Sequence, residues 1–238
     1  MTGAPLLFLH GVGSLAAVWT AQEAAFSGAV ALEYPGYTSD AGAPETTAEG
    51  MARRLLQDLD RRGLKEVHIV GLSLGVVVAL YLHAAAPHRV RSLVLADGFI
   101  CHPDGAAILE NGMRALNEQG MAGLAASRAP RVLAPNAPPE QVESVAAEMA
   151  RIPETAYRAA SRIVWLADVA ALLPAVKVPV TVLVGTADVV TPPALSRALA
   201  TAIPHARLEV IPGAGHLSNL DQPEAFNAAV RRHLEEIP

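Results

Sequence analysis

Residues 67–78 have the sequence Val67-His68-Ile69-Val70-Gly71-Leu72-Ser73-Leu74-Gly75-Val76-Val77-Val78, and this stretch decides the fold. Its first four residues are rich in β-branched side chains, which predicts a strand. An apolar helical run follows and continues to about His83, before Pro87. Between the strand and the helix lies a tight turn flanked by glycines, with Ser73 at its apex.

The turn around Ser73 matches the pattern Gly-x-Ser-x-Gly. A sharp strand-to-helix turn lifts a serine Oγ above the sheet edge, and glycines at 71 and 75 allow neighbouring backbone to pass close by. The helix after Ser73 points free N–H groups and the positive end of its dipole at the place where an oxyanion would form. The pattern therefore predicts that Ser73 is a catalytic nucleophile. The alternative is a tight turn that serves packing alone.

Composition and charge limit the classes of protein to consider. A chain of 238 residues can bury a substantial core as a single α/β domain. The net charge is −5, and charges of both signs are scattered along the chain, which gives no basic stripe for nucleic acid and no polybasic membrane patch. The single cysteine, Cys101, excludes an intramolecular disulfide and fits a reducing compartment. The first residues contain no basic leader region. We expect a cytoplasmic protein with no nucleic-acid or membrane partner.

Strands and helices are expected to alternate along most of the chain. Short apolar runs predict further strands at residues 5–9, 29–32, 91–96, 178–185 and 207–211. Helices are predicted from about residue 16, over 47–62, after Ser73, from 192–193 and over 223–234. Residues 38–46 are expected to form a loop. The alternation predicts an α/β fold with a doubly wound, mainly parallel sheet, whose ligand sites lie at the carboxyl ends of the strands.

The alternation lapses in the middle of the chain. Residues 99–173 show only helical patterns, broken at Pro130, Pro135, Pro138, Pro139 and Pro153. We therefore predict a core domain of residues 1–98 and 174–238, with residues 99–173 inserted as a helical cap over the top edge of the sheet.

Two polar residues follow later strands at the edge where Ser73 is expected. Asp188 follows the strand that ends at Val184, and His216 follows the strand that ends at Ile211. His216 would take the Ser73 proton as general base, and Asp188 would fix the imidazole tautomer and stabilise the imidazolium. Asp97 competes with Asp188, because it ends the strand that follows Ser73. We favour Asp188 and expect Asp97 to cap its own loop.

These motifs together resemble the α/β-hydrolase family along the whole chain. The resemblance includes His10-Gly11, Tyr34-Pro35-Gly36 and Gly213-Ala214-Gly215-His216, each directly after a predicted strand. It implies an α/β-hydrolase fold, a triad that needs no cofactor, and an oxyanion hole formed by the backbone N–H groups of Val12 and Leu74. The family usually has an antiparallel strand pair before the strand at residues 5–9, which is missing here. The sheet would then be smaller, or its edge would be covered by a partner subunit, so we expect a monomer or a homodimer.

The second half of the chain is similar to 3-oxoadipate enol-lactonases and related small esterases. This similarity rests on Gly120-Met121-Ala122-Gly123-Leu124, Gly185-Thr186-Ala187-Asp188, Thr191-Pro192-Pro193, His216-Leu217-Ser218-Asn219 and Gln222-Pro223. The first half departs from these enzymes, because His10-Gly11-Val12-Gly13 replaces the expected Asn-Ser type of turn. The similarity implies hydrolysis of a small ester or lactone through an acyl-enzyme. Hydrolysis of a C–C bond in vinylogous diketones on the same triad is an alternative.

A dinucleotide-dependent oxidoreductase is a hypothesis of another class. Gly11-Val12-Gly13-Ser14-Leu15-Ala16 also satisfies the dinucleotide fingerprint after a strand, and Glu33 ends the next strand where a ribose-binding acid belongs. This hypothesis leaves the placement of Ser73, Asp188 and His216 unexplained. A binding protein with a hydrolase fold would show a broken triad, and this triad is complete.

Several side chains are candidates for a substrate pocket. Trp19, Met113, Met121 and Trp165 suit an apolar acyl or lactone pocket, although such residues are more often part of the core. The cap also carries arginines that could pair with a substrate carboxylate or lie on a solvated helix face: Arg128, Arg131, Arg158 and Arg162. A short, alanine-rich cap predicts a compact pocket, and the arginines predict a small acidic lactone. The remaining histidines lack metal-ligand spacing, so we expect no metal site.

Overall fold

One parallel sheet forms the centre of the molecule. The computed structural model describes residues 4–38 and 42–237, so the loop predicted for residues 38–46 lies partly outside the described residues. The strands are β1 (Leu6–Leu9), β2 (Val30–Leu32), β3 (Val67–Leu72), β4 (Val90–Ala96), β5 (Val180–Gly185) and β6 (Arg207–Ile211). Their order across the sheet is β2-β1-β3-β4-β5-β6, and every neighbouring pair is parallel. The predicted strands and the predicted fold class are confirmed.

Helices connect the strands. They are α1 (Thr20–Ala25), α2 (Ala48–Arg61), α3 (Leu74–Ala85), α4 (Gly105–Val132), α5 (Pro139–Ala150), α6 (Glu154–Trp165), α7 (Pro193–Ala202), α8 (Ser218–Asp221) and α9 (Pro223–Glu235). Short 3₁₀ segments occur at Ala16–Trp19, Pro87–Arg89 and Ala170–Ala175. Across the part of the chain that the structure describes, none of these helices combines the length and the apolar character that a membrane span requires.

The helices cover both faces of the sheet, as successive residues of β1 illustrate. Leu7 and Leu9 belong to an apolar core with α2, α3 and α7, whereas Leu6 and Phe8 belong to a second core with α9. Since side chains alternate along a strand, a strand buried on both faces must be continuously apolar. This requirement explains why the strands could be recognised as unbroken hydrophobic runs. It also leaves the carboxyl ends of the strands as the place for polar side chains.

The predicted cap segment contains three helices between β4 and β5. Helix α4 packs against both α5 and α6. The break predicted at Pro130 is wrong, because Pro130 lies inside α4, which is instead kinked at Gly120, where φ is 66°. A positive φ is readily adopted only by glycine, which allows the chain to change direction there. The other prolines do fall at helix boundaries, since Pro139 begins α5 and Pro153 directly precedes α6.

Strand β2 forms one edge of the sheet. In residues 4–38 and 42–237 no strand precedes β1. Strand β2 is only three residues long, and the Glu23 carboxylate accepts a hydrogen bond of 3.0 Å from the N–H of Ala31. A short strand with an occupied donor is a poor template for further strand pairing.

A histidine buried in the core makes the stability of the fold sensitive to acid. His233 of α9 is buried, and its Nδ1 lies 2.9 Å from Thr181 Oγ1. Burial, reinforced by the neighbouring His68 and Arg207, lowers the pKa of His233 to about 4. An unfolded histidine has a pKa near 6.5, so between these values the unfolded state binds a proton that the folded state excludes. The free energy of unfolding therefore decreases through His233 as the pH falls from about 6.5 to about 4.

The substitution His233→Gln is expected to reduce this acid sensitivity. It keeps a polar group near Thr181 but removes the titration, so wild type should lose about 2 kcal/mol more than the variant between pH 7 and pH 4.5. Urea unfolding at the two pH values measures the difference. Equal losses in both proteins would show that His233 does not titrate in this way.

Candidate active site

Ser73 lies in a strained turn between β3 and α3. Its φ and ψ are 57° and −112°, an uncommon conformation for a residue with a side chain. A Cβ atom at Gly71 would lie 2.4 Å from the carbonyl oxygen of Gly75, and one at Gly75 would lie 2.2 Å from that of Leu9. Both positions therefore require glycine. The turn agrees with the geometry that the sequence pattern predicts.

Asp188 and His216 are joined by a hydrogen bond in the loops after β5 and β6. His216 Nδ1 lies 2.9 Å from Asp188 Oδ2. The same carboxylate accepts hydrogen bonds from the N–H groups of Val190 at 2.8 Å and Thr191 at 2.9 Å, and from Thr191 Oγ1 at 2.7 Å. Both residues of the pair are buried. Asp188 is therefore fixed with one oxygen directed at the imidazole.

The pair stabilises the charged forms of both groups. Burial alone would favour the neutral imidazole, but the Asp188 carboxylate outweighs it and raises the pKa of His216. Burial would likewise raise the pKa of Asp188, but His216 and the hydrogen bonds from Thr191 outweigh it and lower that pKa. An imidazole with this partner is suited to accept a proton during a reaction.

Asp97 is buried nearby but is bonded to other groups. Its carboxylate accepts hydrogen bonds from the N–H of Gly185, at 2.9 Å, and from Ser218 Oγ. Of the two candidate acids, Asp188 is therefore the one that the structure places on His216 Nδ1.

Ser73 and His216 line the same cavity beneath the cap helices. In the described part of the chain no hydrogen bond of 3.5 Å or less joins Ser73 Oγ to the His216 ring. Catalytic hydrogen bonds are often long before substrate is bound and shorten in the substrate complex. The structure thus brings the three predicted residues to one site, and two of them, Asp188 and His216, are hydrogen-bonded to each other.

The turn after β1 is held by several long-range contacts. Tyr37 Oη donates a hydrogen bond of 2.9 Å to the carbonyl oxygen of Val12. Glu33 accepts one of 2.6 Å from the N–H of Ala16 and lies 3.2 Å from His10 Nε2. Val12, like Ser73, lines the cavity, and Leu74 is the first residue of α3. Glu33, which follows β2, is therefore bonded to the segment after β1, whereas the dinucleotide hypothesis needs this carboxylate for a ribose.

The cap contributes to the same turn. The N–H of Leu15 donates a hydrogen bond of 2.9 Å to Glu148 of α5. A Cβ atom at Gly13 would lie 2.5 Å from Met149 Cε, so the lack of a side chain there allows α5 to approach closely. Helix α5 is thereby packed directly onto the predicted oxyanion turn.

The predicted pocket residues are only partly found around the cavity. Trp165 lines it, whereas Trp19 is not among the lining residues and stacks on Phe8 with ring centroids 4.9 Å apart. Met113 and Met121 are also absent from the lining. Three further cap residues line the cavity and were not predicted from the sequence: Val132, Met149 and Tyr157. They have no distinguishing motif, because sequence does not tell which face of a cap helix turns towards Ser73.

Of the four cap arginines, Arg128 is the one at the cavity. Its Nη1 donates a hydrogen bond to the Tyr157 hydroxyl, and within the described residues no carboxylate lies within 4.0 Å of its guanidinium. Arg158, in contrast, pairs with Glu154 at 2.7 Å. Arg131 and Arg162 are exposed.

The described ranges hold no group of three or more His, Cys, Asp or Glu residues that could bind a metal ion. The lining of the cavity is mostly apolar apart from Ser14, Ser73, Arg128, Tyr157 and His216. The arrangement therefore offers a hydroxyl, an imidazole–carboxylate pair and a guanidinium.

Comparison with known proteins decides the family. The sequence profile of the alpha/beta hydrolase family matches residues 6–229. The chain belongs to the alpha/beta hydrolase family. It is a hydrolase, and the resemblance inferred from the motifs is confirmed. The fingerprint-like glycines at 11 and 13 are accordingly part of a hydrolase turn.

Individual relatives match three quarters of this chain or more. A protein of Cronobacter turicensis named "Putative carbamate hydrolase RutD" is 28% identical over 99% of this chain and 92% of its own length. The 3-oxoadipate enol-lactonase 2 of Acinetobacter baylyi is 29% identical over 75% of this chain and 67% of its own. The solved structure of a thermophilic esterase from Thermogutta terrifontis is 29% identical, with a TM-score of 0.87 over 99% of this chain and 91% of that one.

Proposed function

We propose that the chain hydrolyses a small ester or lactone, with Ser73 as nucleophile, His216 as general base and Asp188 as its acid partner. The observation that carries this proposal is that His216, bonded to Asp188 at 2.9 Å, lines the same cavity as Ser73 at its strained turn.

The proposed mechanism follows from these positions. His216 Nε2 accepts the Ser73 proton as Oγ attacks the carbonyl carbon, and Asp188 stabilises the imidazolium through Nδ1–H. The backbone N–H groups of Val12 and Leu74 stabilise the oxyanion. Collapse releases the leaving group, which takes the proton from His216, and leaves an acyl-enzyme on Ser73. Water, activated by the same imidazole, then hydrolyses the acyl-enzyme.

The cavity supports a compact substrate. The space in it that protein atoms leave unfilled is about 420 Å³, including its opening to solvent. Because this figure includes open solvent, the space that the walls enclose is smaller than 420 Å³. Helices α4, α5 and α6 each contribute to its walls, through Arg128, Met149 and Tyr157. Long acyl chains therefore require displacement of the cap.

Acetate and butyrate p-nitrophenyl esters are accordingly expected to be cleaved, and the decanoate ester poorly. Forcing extra methylenes into a packed site costs about 1 to 3 kcal/mol, so kcat/KM for decanoate should be lower than for butyrate by about tenfold or more. A steady-state comparison of the three esters measures this. Preference for decanoate would contradict the compact pocket and leave the hydrolase mechanism intact.

Arg128 supports an anionic substrate. A guanidinium in a mostly apolar cavity, bonded to a neutral hydroxyl, can pair with a carboxylate without displacing an existing ion pair. Two observations on relatives agree with an anionic substrate. One relative is named a 3-oxoadipate enol-lactonase, and malate, a dicarboxylate, is bound in the esterase structure. A small lactone that bears a carboxylate therefore fits the site.

The substitution Arg128→Gln is expected to remove the preference for the anion. A hydrogen bond to a charged group contributes about 1.5 to 3 kcal/mol, so kcat/KM for a carboxymethyl-substituted enol-lactone should fall by about ten- to a hundredfold. Its neutral methyl ester should change by less than about threefold. Arg131→Gln, on the same helix but exposed, is the matched control and should leave both values near wild type. Equal losses with the acid and the methyl ester would refute the carboxylate contact.

A further inference from the structure

Asp97 is a second buried carboxylate at the site, and the proposed mechanism does not use it. It follows β4, its side chain is fully buried, and its φ is 51°. Asparagine and aspartate adopt this conformation more readily than most residues, but it is still uncommon. The backbone N–H of Asp97 continues the sheet by donating to the carbonyl oxygen of Leu183 at 2.9 Å. The backbone N–H thus anchors Asp97 in the sheet, while its carboxylate and its carbonyl oxygen can accept hydrogen bonds from other segments.

Three hydrogen bonds connect Asp97 to the two loops that carry Asp188 and His216. Oδ1 accepts from the N–H of Gly185, at 2.9 Å, where the Asp188 loop begins. The carbonyl oxygen accepts from Thr191 Oγ1, also at 2.9 Å. Oδ2 accepts from Ser218 Oγ, two residues after His216.

Thr191 links this arrangement to the reacting groups. Its hydroxyl lies 2.7 Å from Asp188 Oδ2 and 3.1 Å from His216 Nδ1. A hydroxyl has a single proton, so its orientation depends on which acceptor receives that proton. The carbonyl oxygen of Asp97 competes for it with Asp188. Asp97 therefore influences the hydrogen bonding of the Asp188–His216 pair through Thr191.

We propose that Asp97 is a positioning residue, which holds the loop of Asp188 and the loop of His216 together and adds a second negative charge behind the imidazole. This inference rests on the proposed function. It assigns to a buried carboxylate a role that no contact with substrate would reveal.

The charges around His216 support the electrostatic part of the proposal. Asp188 and Asp97 both favour the imidazolium, whereas Arg128, from α4, disfavours it, and the Thr191 hydroxyl is neutral. Burial and the Asp188 carboxylate raise the pKa of Asp97 itself to about 7. Asp97 is therefore ionised from about pH 7 upwards. Because that charge favours the imidazolium, its removal should make His216 easier to deprotonate there.

Two substitutions at Asp97 separate the charge from the hydrogen bonds. Asp97→Asn keeps an acceptor for Gly185 and a polar partner for Ser218 but has no charge, so the acid limb of kcat/KM should move to lower pH by on the order of half a pH unit. Asp97→Ala removes both side-chain links, so kcat should fall by about tenfold or more while KM changes by less than about threefold. Ser196→Ala is the control, since Ser196 Oγ donates to the neighbouring Gly98 carbonyl oxygen at 3.0 Å, and no hydrogen bond within the described residues joins its side chain to either loop of the pair.

The experiment measures pH profiles of p-nitrophenyl acetate hydrolysis for wild type and the three variants, with fluorophosphonate labelling of each. An Asp97→Asn profile that superimposes on wild type, or an Asp97→Ala enzyme with the wild-type kcat, would overturn the inference. If Asp97→Ala does not fold, the Asp97→Asn profile decides. Labelling separates a failure of the Asp97 inference from a failure of the proposed function. If wild type reacts with the probe, the proposed function is supported, even when the Asp97 variants have the wild-type pH profile and kcat. Wild type that does not react would overturn the proposed function itself.

Discussion

The substitution Ser73→Ala is expected to lower kcat for p-nitrophenyl acetate on the order of 10⁶-fold, because no other group can form the acyl-enzyme. The fold should survive, since Ser73 lies at an element boundary and its side chain makes no hydrogen bond of 3.5 Å or less within the described residues. Active-site titration and circular dichroism measure the two effects separately.

A matched control for this experiment is Ser14→Ala. Ser14 is buried and lines the same cavity, but it lies away from the strand-to-helix turn. The control should retain at least about a tenth of the wild-type kcat. If Ser14→Ala loses turnover and Ser73→Ala keeps it, the nucleophile has been assigned to the wrong serine.

The substitution Asp188→Asn is expected to lower kcat by about 10⁴-fold. Asparagine presents an N–H where the imidazole needs an acceptor, or turns its oxygen away from the Val190 and Thr191 N–H groups, so the His216 tautomer is no longer fixed. KM should change little, because Asp188 does not line the cavity. If Asp97→Asn loses this activity and Asp188→Asn keeps it, the acid has been assigned to the wrong residue.

Local sequence patterns were sufficient to predict the strands and the tight turn at Ser73. β3 is an uninterrupted apolar run because both of its faces are covered, and the glycines at 71 and 75 are required because the backbone of Leu9 and Gly75 lies within 2.4 Å of where a Cβ would be. Such constraints act on every residue of the segment at once. They therefore leave a pattern that can be recognised without a structure.

The lining of the cavity could not be predicted in the same way. Trp19 has the composition of a pocket residue, but it stacks on Phe8 in the core beneath the sheet. Tyr157 and Met149 lie on amphipathic cap helices that pack against α4, which is kinked at Gly120. Helix packing depends on contacts between segments distant in sequence, so the periodicity of one helix does not fix which side chain meets Ser73.

The contacts that support the turn after β1 also could not be predicted from sequence patterns. Tyr37 and Glu148 reach residues 12 and 15 from the loop after β2 and from α5. Neither residue type signals such a role, because each acts through one hydrogen bond to a backbone group far away in the chain. The prediction of Val12 as a donor needed only the position of the turn after β1, and it stays a prediction.

The most direct test of the proposed function is covalent labelling with a fluorophosphonate, followed by peptide mapping. The probe phosphonylates a serine that an adjacent base activates, so the mechanism predicts one adduct per chain, on Ser73, and none in Ser73→Ala. Labelling should slow at acid pH as His216 becomes protonated. An adduct on another residue, or wild type that remains unlabelled while hydrolysing esters, would contradict the assignment of Ser73 as the nucleophile.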